Sequence, residues 1–97
     1  MKPELIEKMN RLAEKHREIM WAAEETIWKN PETGYREWKT HAYMKNVLEG
    51  LGYELTEAGD IPGFYSDLDT GKPGPMLVLM AELDSVLCAQ QIGRAHV

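Results

Sequence analysis

The chain has one cysteine, Cys88, among its 97 residues. No intrachain disulfide is therefore available, and a fold stapled by disulfides is excluded. It also lacks any apolar stretch of the length that spans a bilayer, and Met1-Lys2-Pro3-Glu4 lacks the apolar core of a signal peptide, so a reducing cytoplasm is the expected location. There is no basic excess. The formal net charge is −5 and no cluster of Lys and Arg is interleaved with aromatics, so nucleic acid and anionic membrane surfaces are not expected as partners. Internal repeats and low-complexity tracts are absent too, which leaves one small domain as the expectation.

What the chain does have is an unbroken apolar run, Met76-Leu77-Val78-Leu79-Met80-Ala81, that ends in two carboxylates, Glu82 and Asp84, spaced i, i+2. A strand exposed on one face would alternate apolar with polar residues, so this run predicts a strand in the middle of a sheet, covered on both faces. In open α/β sheets ligands bind beyond the carboxyl ends of the strands, where Glu82 and Asp84 fall, both on one side if the strand persists. Acids after strands also solvate ordinary loops, and spacing alone does not separate the two readings.

Leu5, Met9, Leu12, His16, Ile19, Ala23 and Ile27 recur at helical spacing, predicting one amphipathic helix of about seven turns. Pro3 suits its first turn, and Asn30-Pro31 ends it, because proline disfavours the α region for the residue before it. His16, Trp21 and Trp28 are expected as packing residues. After a turn at Pro31-Glu32-Thr33-Gly34, a second helix is predicted from Trp38 to Leu51, stopped by Gly50-Leu51-Gly52, with His41 facing solvent near its start. Tyr53–Glu57 and Phe64–Asp69 are strand candidates, and the Gly- and Pro-rich Thr70–Pro75 segment predicts a hairpin between the latter and the apolar run.

Pro31-Glu32-Thr33-Gly34-Tyr35-Arg36-Glu37, Lys39-Thr40, Leu48-Glu49-Gly50-Leu51-Gly52-Tyr53, Gly63, Gly74-Pro75 and Ala81-Glu82-Leu83-Asp84-Ser85-Val86 form an ordered series. It resembles the amino-terminal part of the dinuclear-metal amidohydrolases and peptidases of metallopeptidase family twenty, in the branch of hippurate, indole-acetyl-amino-acid and aminobenzoyl-glutamate hydrolases. The likeness runs from Leu5 to Leu87. It implies an α/β fold in which two amino-terminal helices precede a hairpin-containing part of a mixed sheet, within a partial dinuclear-zinc-peptidase catalytic domain. It also implies hydrolysis of the amide in N-acyl amino acids or small peptides, two divalent ions (zinc or manganese) as cofactors, and a parent enzyme able to form a homodimer.

Carried over by position, the resemblance makes Asp84 the residue that orients a metal-binding histidine from behind it, and puts Glu82 near the site. Thr33 and Ser85 depart from the leucine and alanine usual in the pattern without removing chemistry. The family's Cys-Gly-His ligand motif, its Glu-Glu pair with the general base and its two later histidines are absent from the sequence; Cys88 is not followed by Gly-His and reads as a small buried or loop thiol. Gln91-Ile92-Gly93-Arg94-Ala95-His96-Val97 departs from the family pattern and fits the translation of a sequencing adapter. The expected organisation is thus 1–90 as the amino-terminal part of a hydrolase domain and 91–97 as a non-native tail, the fragment being inactive alone and prone to self-association. The alternative is a small non-catalytic α/β binding or regulatory module that uses the Glu82/Asp84 edge.

Overall fold

The computed structural model describes residues 2–86. Three helices are followed by a small antiparallel sheet, a mixed α and β architecture: α1 Pro3–Lys15, α2 Arg17–Lys29, α3 Trp38–Gly50, β1 Thr56–Glu57 and β2 Phe64–Tyr65. Cys88 and the 91–97 tail lie outside the described residues.

The expected long first helix is divided at His16, whose φ of −103° and ψ of 12° leave the α-helical well. Neither proline nor glycine stands there. The hydrogen-bond ladder nevertheless crosses the break, from His16 N to the Leu12 carbonyl at 3.1 Å and from Met20 N to the His16 carbonyl at 3.0 Å. Pro3 occupies the first turn of α1 as expected, and Lys29 is the last helical residue before Asn30-Pro31. No residue of either segment is buried. The expected packing role of the tryptophans is therefore not realised: Trp21 and Trp28 are both more than half exposed, and Arg17 lies over the Trp21 ring. α2 touches α3, and its half-buried residues are Ala23, Thr26 and Ile27.

α3 forms where expected, and its end shows why. Gly52 takes φ +99°, a conformation glycine reaches without a Cβ clash. Its amide donates to the Glu49 carbonyl at 3.0 Å, and the Tyr53 amide reaches back to the Leu48 carbonyl at 3.1 Å. Those two bonds are the Schellman pairing, which satisfies carbonyls the last helical turn leaves open.

The sheet departs from the sequence expectation. β1 pairs with β2, Thr56 opposite Tyr65 and Glu57 opposite Phe64, closed by the Ala58 amide donating to the Gly63 carbonyl at 2.9 Å. The hairpin thus lies one segment earlier than predicted, and no strand forms over 76–81. Pairing needs a partner edge, and residues 66–86 find none. Leu79 is 90% exposed and Met76, Leu77 and Met80 nearly as much.

Magnitudes fit this picture. The accessible surface is 8643 Å², against roughly 5,700 Å² for a folded monomer of this mass. The radius of gyration is 16.0 Å, against about 13 Å for a compact chain of a hundred residues. Among the described residues no large side chain is fully buried, and the most enclosed polar positions are Glu37, Thr40 and His41 at the start of α3.

Candidate functional site

The enclosed corner is assembled by the Pro31–Glu37 turn. The Arg36 amide closes it onto the Thr33 carbonyl at 3.0 Å, and Tyr35 is driven to φ 63°, a left-handed conformation that costs a non-glycine residue about 1 kcal/mol. The Tyr35 amide is met in return by Glu37 Oε1 at 3.1 Å.

Glu32 holds the start of α3 from outside the helix. Its Oε1 accepts from the Thr40 amide at 2.7 Å and its Oε2 from the Lys39 amide at 3.1 Å. Both are amides of the first helical turn, which have no partner within the helix and carry the positive end of its dipole. Partial burial works against the charge on Glu32, but these amide hydrogen bonds outweigh it and hold the carboxyl below the ordinary glutamate value. The backbone of the same residue reaches further: the Ser85 amide donates to the Glu32 carbonyl at 2.7 Å. Asp84 comes with it, its Oδ2 lying 3.8 Å from where a Cβ on Gly34 would stand.

His41 corrects the sequence expectation. It lies in the first turn of α3 but is 5% exposed rather than solvent-facing. Its Nδ1 accepts from the Gly63 amide at 2.8 Å and its Nε2 is 2.8 Å from Glu57 Oε1, so the imidazole fastens the hairpin loop and β1 to the helix. With the acceptor nitrogen fixed by an amide, the neutral tautomer carries its proton on Nε2. Trp38 and Phe64 pack edge-on to the ring at centroid distances of 5.5 and 5.3 Å. Hydrogen bonds from His41 and then Lys45, whose Nζ is 3.4 Å away, hold the Glu57 carboxyl below its usual range.

Between this corner and the 79–84 segment lies a cavity of about 650 Å³. Glu37, Glu82 and Asp84 all line it, with Met44, Leu48 and Phe64 on the apolar side. The two acids singled out from the sequence are thus brought to one cavity, both exposed, on an extended segment rather than at the end of a strand. Glu32, Glu37 and His41 were missed as determinants of the site. Glu32 and Glu37 sit inside the quoted turn motif, and the turn followed at once by a helix start was the available signal. Nothing local marks His41, whose partners are 16 and 22 residues away.

A pair of divalent ions requires several ligands converging on one point. Among the described residues no three of His, Cys, Asp or Glu come together in that way, and both His41 nitrogens are engaged. The residues present do not fit such a pair. Among the same residues no helix is long and apolar enough to cross a membrane. No protein-family model, no curated protein and no solved structure matches this chain.

Proposed function

We propose that this chain is the amino-terminal part of a cytoplasmic, metal-dependent amidohydrolase of the metallopeptidase-twenty type, homodimeric in its complete form, hydrolysing the amide bond of N-acyl amino acids or small peptides. One observation carries the reading. The two most family-like segments, Pro31–Glu37 and Ala81–Val86, are distant in sequence yet meet through the Ser85 to Glu32 hydrogen bond, with Asp84 set beside Gly34. A second support is the bare apolar run. Covering Met76 through Met80 would contribute roughly 1.5–3 kcal/mol for each side chain, on the order of a whole domain's net stability, and the described residues supply no cover.

In this reading Asp84 is a positioning residue for a histidine ligand and Glu82 stands near the site. The donors for zinc or manganese come from chain beyond the described residues, so the isolated polypeptide is expected to be inactive. A binding or regulatory module is the second reading, favoured by a cavity formed within the described residues alone.

Sequencing the gene past the position of Gln90 separates the two. Continuation into a Cys-Gly-His motif supports the hydrolase, and a stop codon directly after Val97 supports the module. Codons unlike the adapter at Ile92 to Val97 would remove the non-native tail from the argument. The isolated chain, assayed with zinc or manganese on N-acyl amino acids, is expected to show no turnover; chelator-sensitive turnover would overturn the expected inactivity.

A further inference from the structure

We propose that His41 is a proton-operated latch: its neutral ring ties the hairpin loop 58–63 to α3, and its protonated ring releases that loop while keeping β1. The inference does not rest on the hydrolase reading.

The two ring nitrogens have partners with opposite demands. The Gly63 amide donates to Nδ1 at 2.8 Å, a bond that exists only while that nitrogen keeps a free lone pair. A proton on Nδ1 sets one N–H against another. Glu57 Oε1, 2.8 Å from Nε2, can accept from the ring in either state and does so more strongly from the charged one. The ring is enclosed and Gly63 is half-buried, so the Gly63 amide regains a partner only by moving out to water. The hairpin itself need not open, because the Ala58 amide closes it on the Gly63 carbonyl at 2.9 Å and Thr56 pairs with Tyr65. Pro62 and Gly63 line the cavity, so that wall is tied to α3 only while the ring is neutral.

The charges around the ring leave this exchange to His41. β1 brings Glu57, held below its usual range by hydrogen bonds from His41 and Lys45, so it stays ionised over the span in which histidines change charge, about pH 5 to about pH 8. Lys45, on α3, lies 3.4 Å from the same Glu57 oxygen. Glu37 meets His41 through its backbone, its carbonyl accepting from the His41 amide at 2.9 Å. Trp38 from α3 and Phe64 from β2 cover the ring without charge. On α2, which packs against α3, Glu25 and Lys29 pair with each other, and Asp60 in the loop is exposed. Among the described residues, the one ion pair of His41 is with Glu57.

Amide hydrogen exchange of the full chain, read by heteronuclear NMR from about pH 8 to about pH 5 and corrected for the intrinsic pH dependence of exchange, tests this. The His41 ring nitrogens are followed in the same samples. Protection of the Gly63 amide is expected to fall at least about tenfold as Nδ1 takes up its proton, while Ala58 keeps its protection. Glu57→Gln should move the fall to lower pH, because the imidazolium loses its anionic partner. His41→Asn puts a carbonyl oxygen near the place of Nδ1 without a titrating group, and should keep Gly63 protected throughout. Gly63 protection that holds in the parent chain from about pH 8 to about pH 5, whether or not the ring titrates, would overturn the proposal, and so would Ala58 losing protection in step with Gly63. If His41→Asn loses its helical circular dichroism, the parent chain and Glu57→Gln decide, since Glu57 is half exposed on the hairpin.

Discussion

The corner at the start of α3 and the Met76–Met80 run invert the usual relation between polarity and burial. In the corner, Glu37, Thr40 and His41 are enclosed, while each of the five apolar residues of the run is two-thirds or more exposed. The corner is held by specific hydrogen bonds, Glu32 to two helix amides, His41 to an amide and a carboxylate, Glu37 Oε1 to the Tyr35 amide, although Glu37 Oε2 and Thr40 Oγ1 stay unpaired. The run stays bare because hydrophobic burial is non-directional but still needs a second surface. Enclosure here follows from partners delivered by a turn and a hairpin, and hydrophobicity alone obtains none.

The comparison breaks first at His41. His41→Ala removes both tethers and leaves the Gly63 amide without its acceptor, so a loss of about 3 kcal/mol is expected. Urea unfolding followed by far-ultraviolet circular dichroism measures it; a loss below about 0.5 kcal/mol would mean that the corner does not hold the hairpin to α3.

Glu32→Ala comes next, with about 1–2 kcal/mol expected from loss of the cap on α3. Hydrogen exchange should accelerate at the Lys39 and Thr40 amides while leaving α1 unaffected. The same carboxylate gives the corner a pH dependence. Its folded pKa is depressed below the ordinary 4.5, so its contribution is fully present above that value and is lost as pH falls through the lower folded value. The α3 signal should weaken below about pH 4.5 in the parent chain and lose that part of its dependence in Glu32→Gln.

A smaller cost, about 1 kcal/mol, is expected for Gly52→Ala, which forces an L-residue into φ +99°. Thermal melts monitored at the helix band report it. Smallest in stability is Leu79→Lys, expected to fall within about 0.5 kcal/mol because nothing is packed there to lose. Its effect belongs to solubility: sedimentation velocity should show less self-association than in the parent chain. A large destabilisation by Leu79→Lys would show that the run is covered in solution and erase the contrast.

Legibility from sequence followed the range of the interactions. Helical periodicity and the Gly50-Leu51-Gly52 stop located α3 because its hydrogen bonds join residues at most five apart. Periodicity also located the α1–α2 rod but not its break at His16, where the sequence carries no breaker. The hairpin was assigned to the wrong pair of segments. Thr70–Pro75 and Gly59–Gly63 both carry turn residues, and choosing between them depends on whether the flanking segments meet. Glu82 and Asp84 were legible as acids after an apolar run; that they line a cavity with Glu37 was not.

The sequence by itself determined the helical stretch that ends before Asn30-Pro31, the helix from Trp38 and the strong demand of Met76–Met80 for cover, since each depends on neighbours along the chain or on composition alone; the turn between the helices falls at Thr33–Arg36, two residues later than expected. Tertiary structure decided that His41 is enclosed, that Glu32 caps a helix it does not belong to, and that the run goes uncovered. Those outcomes turn on which distant groups come within hydrogen-bonding or van der Waals reach, and no local pattern encodes that.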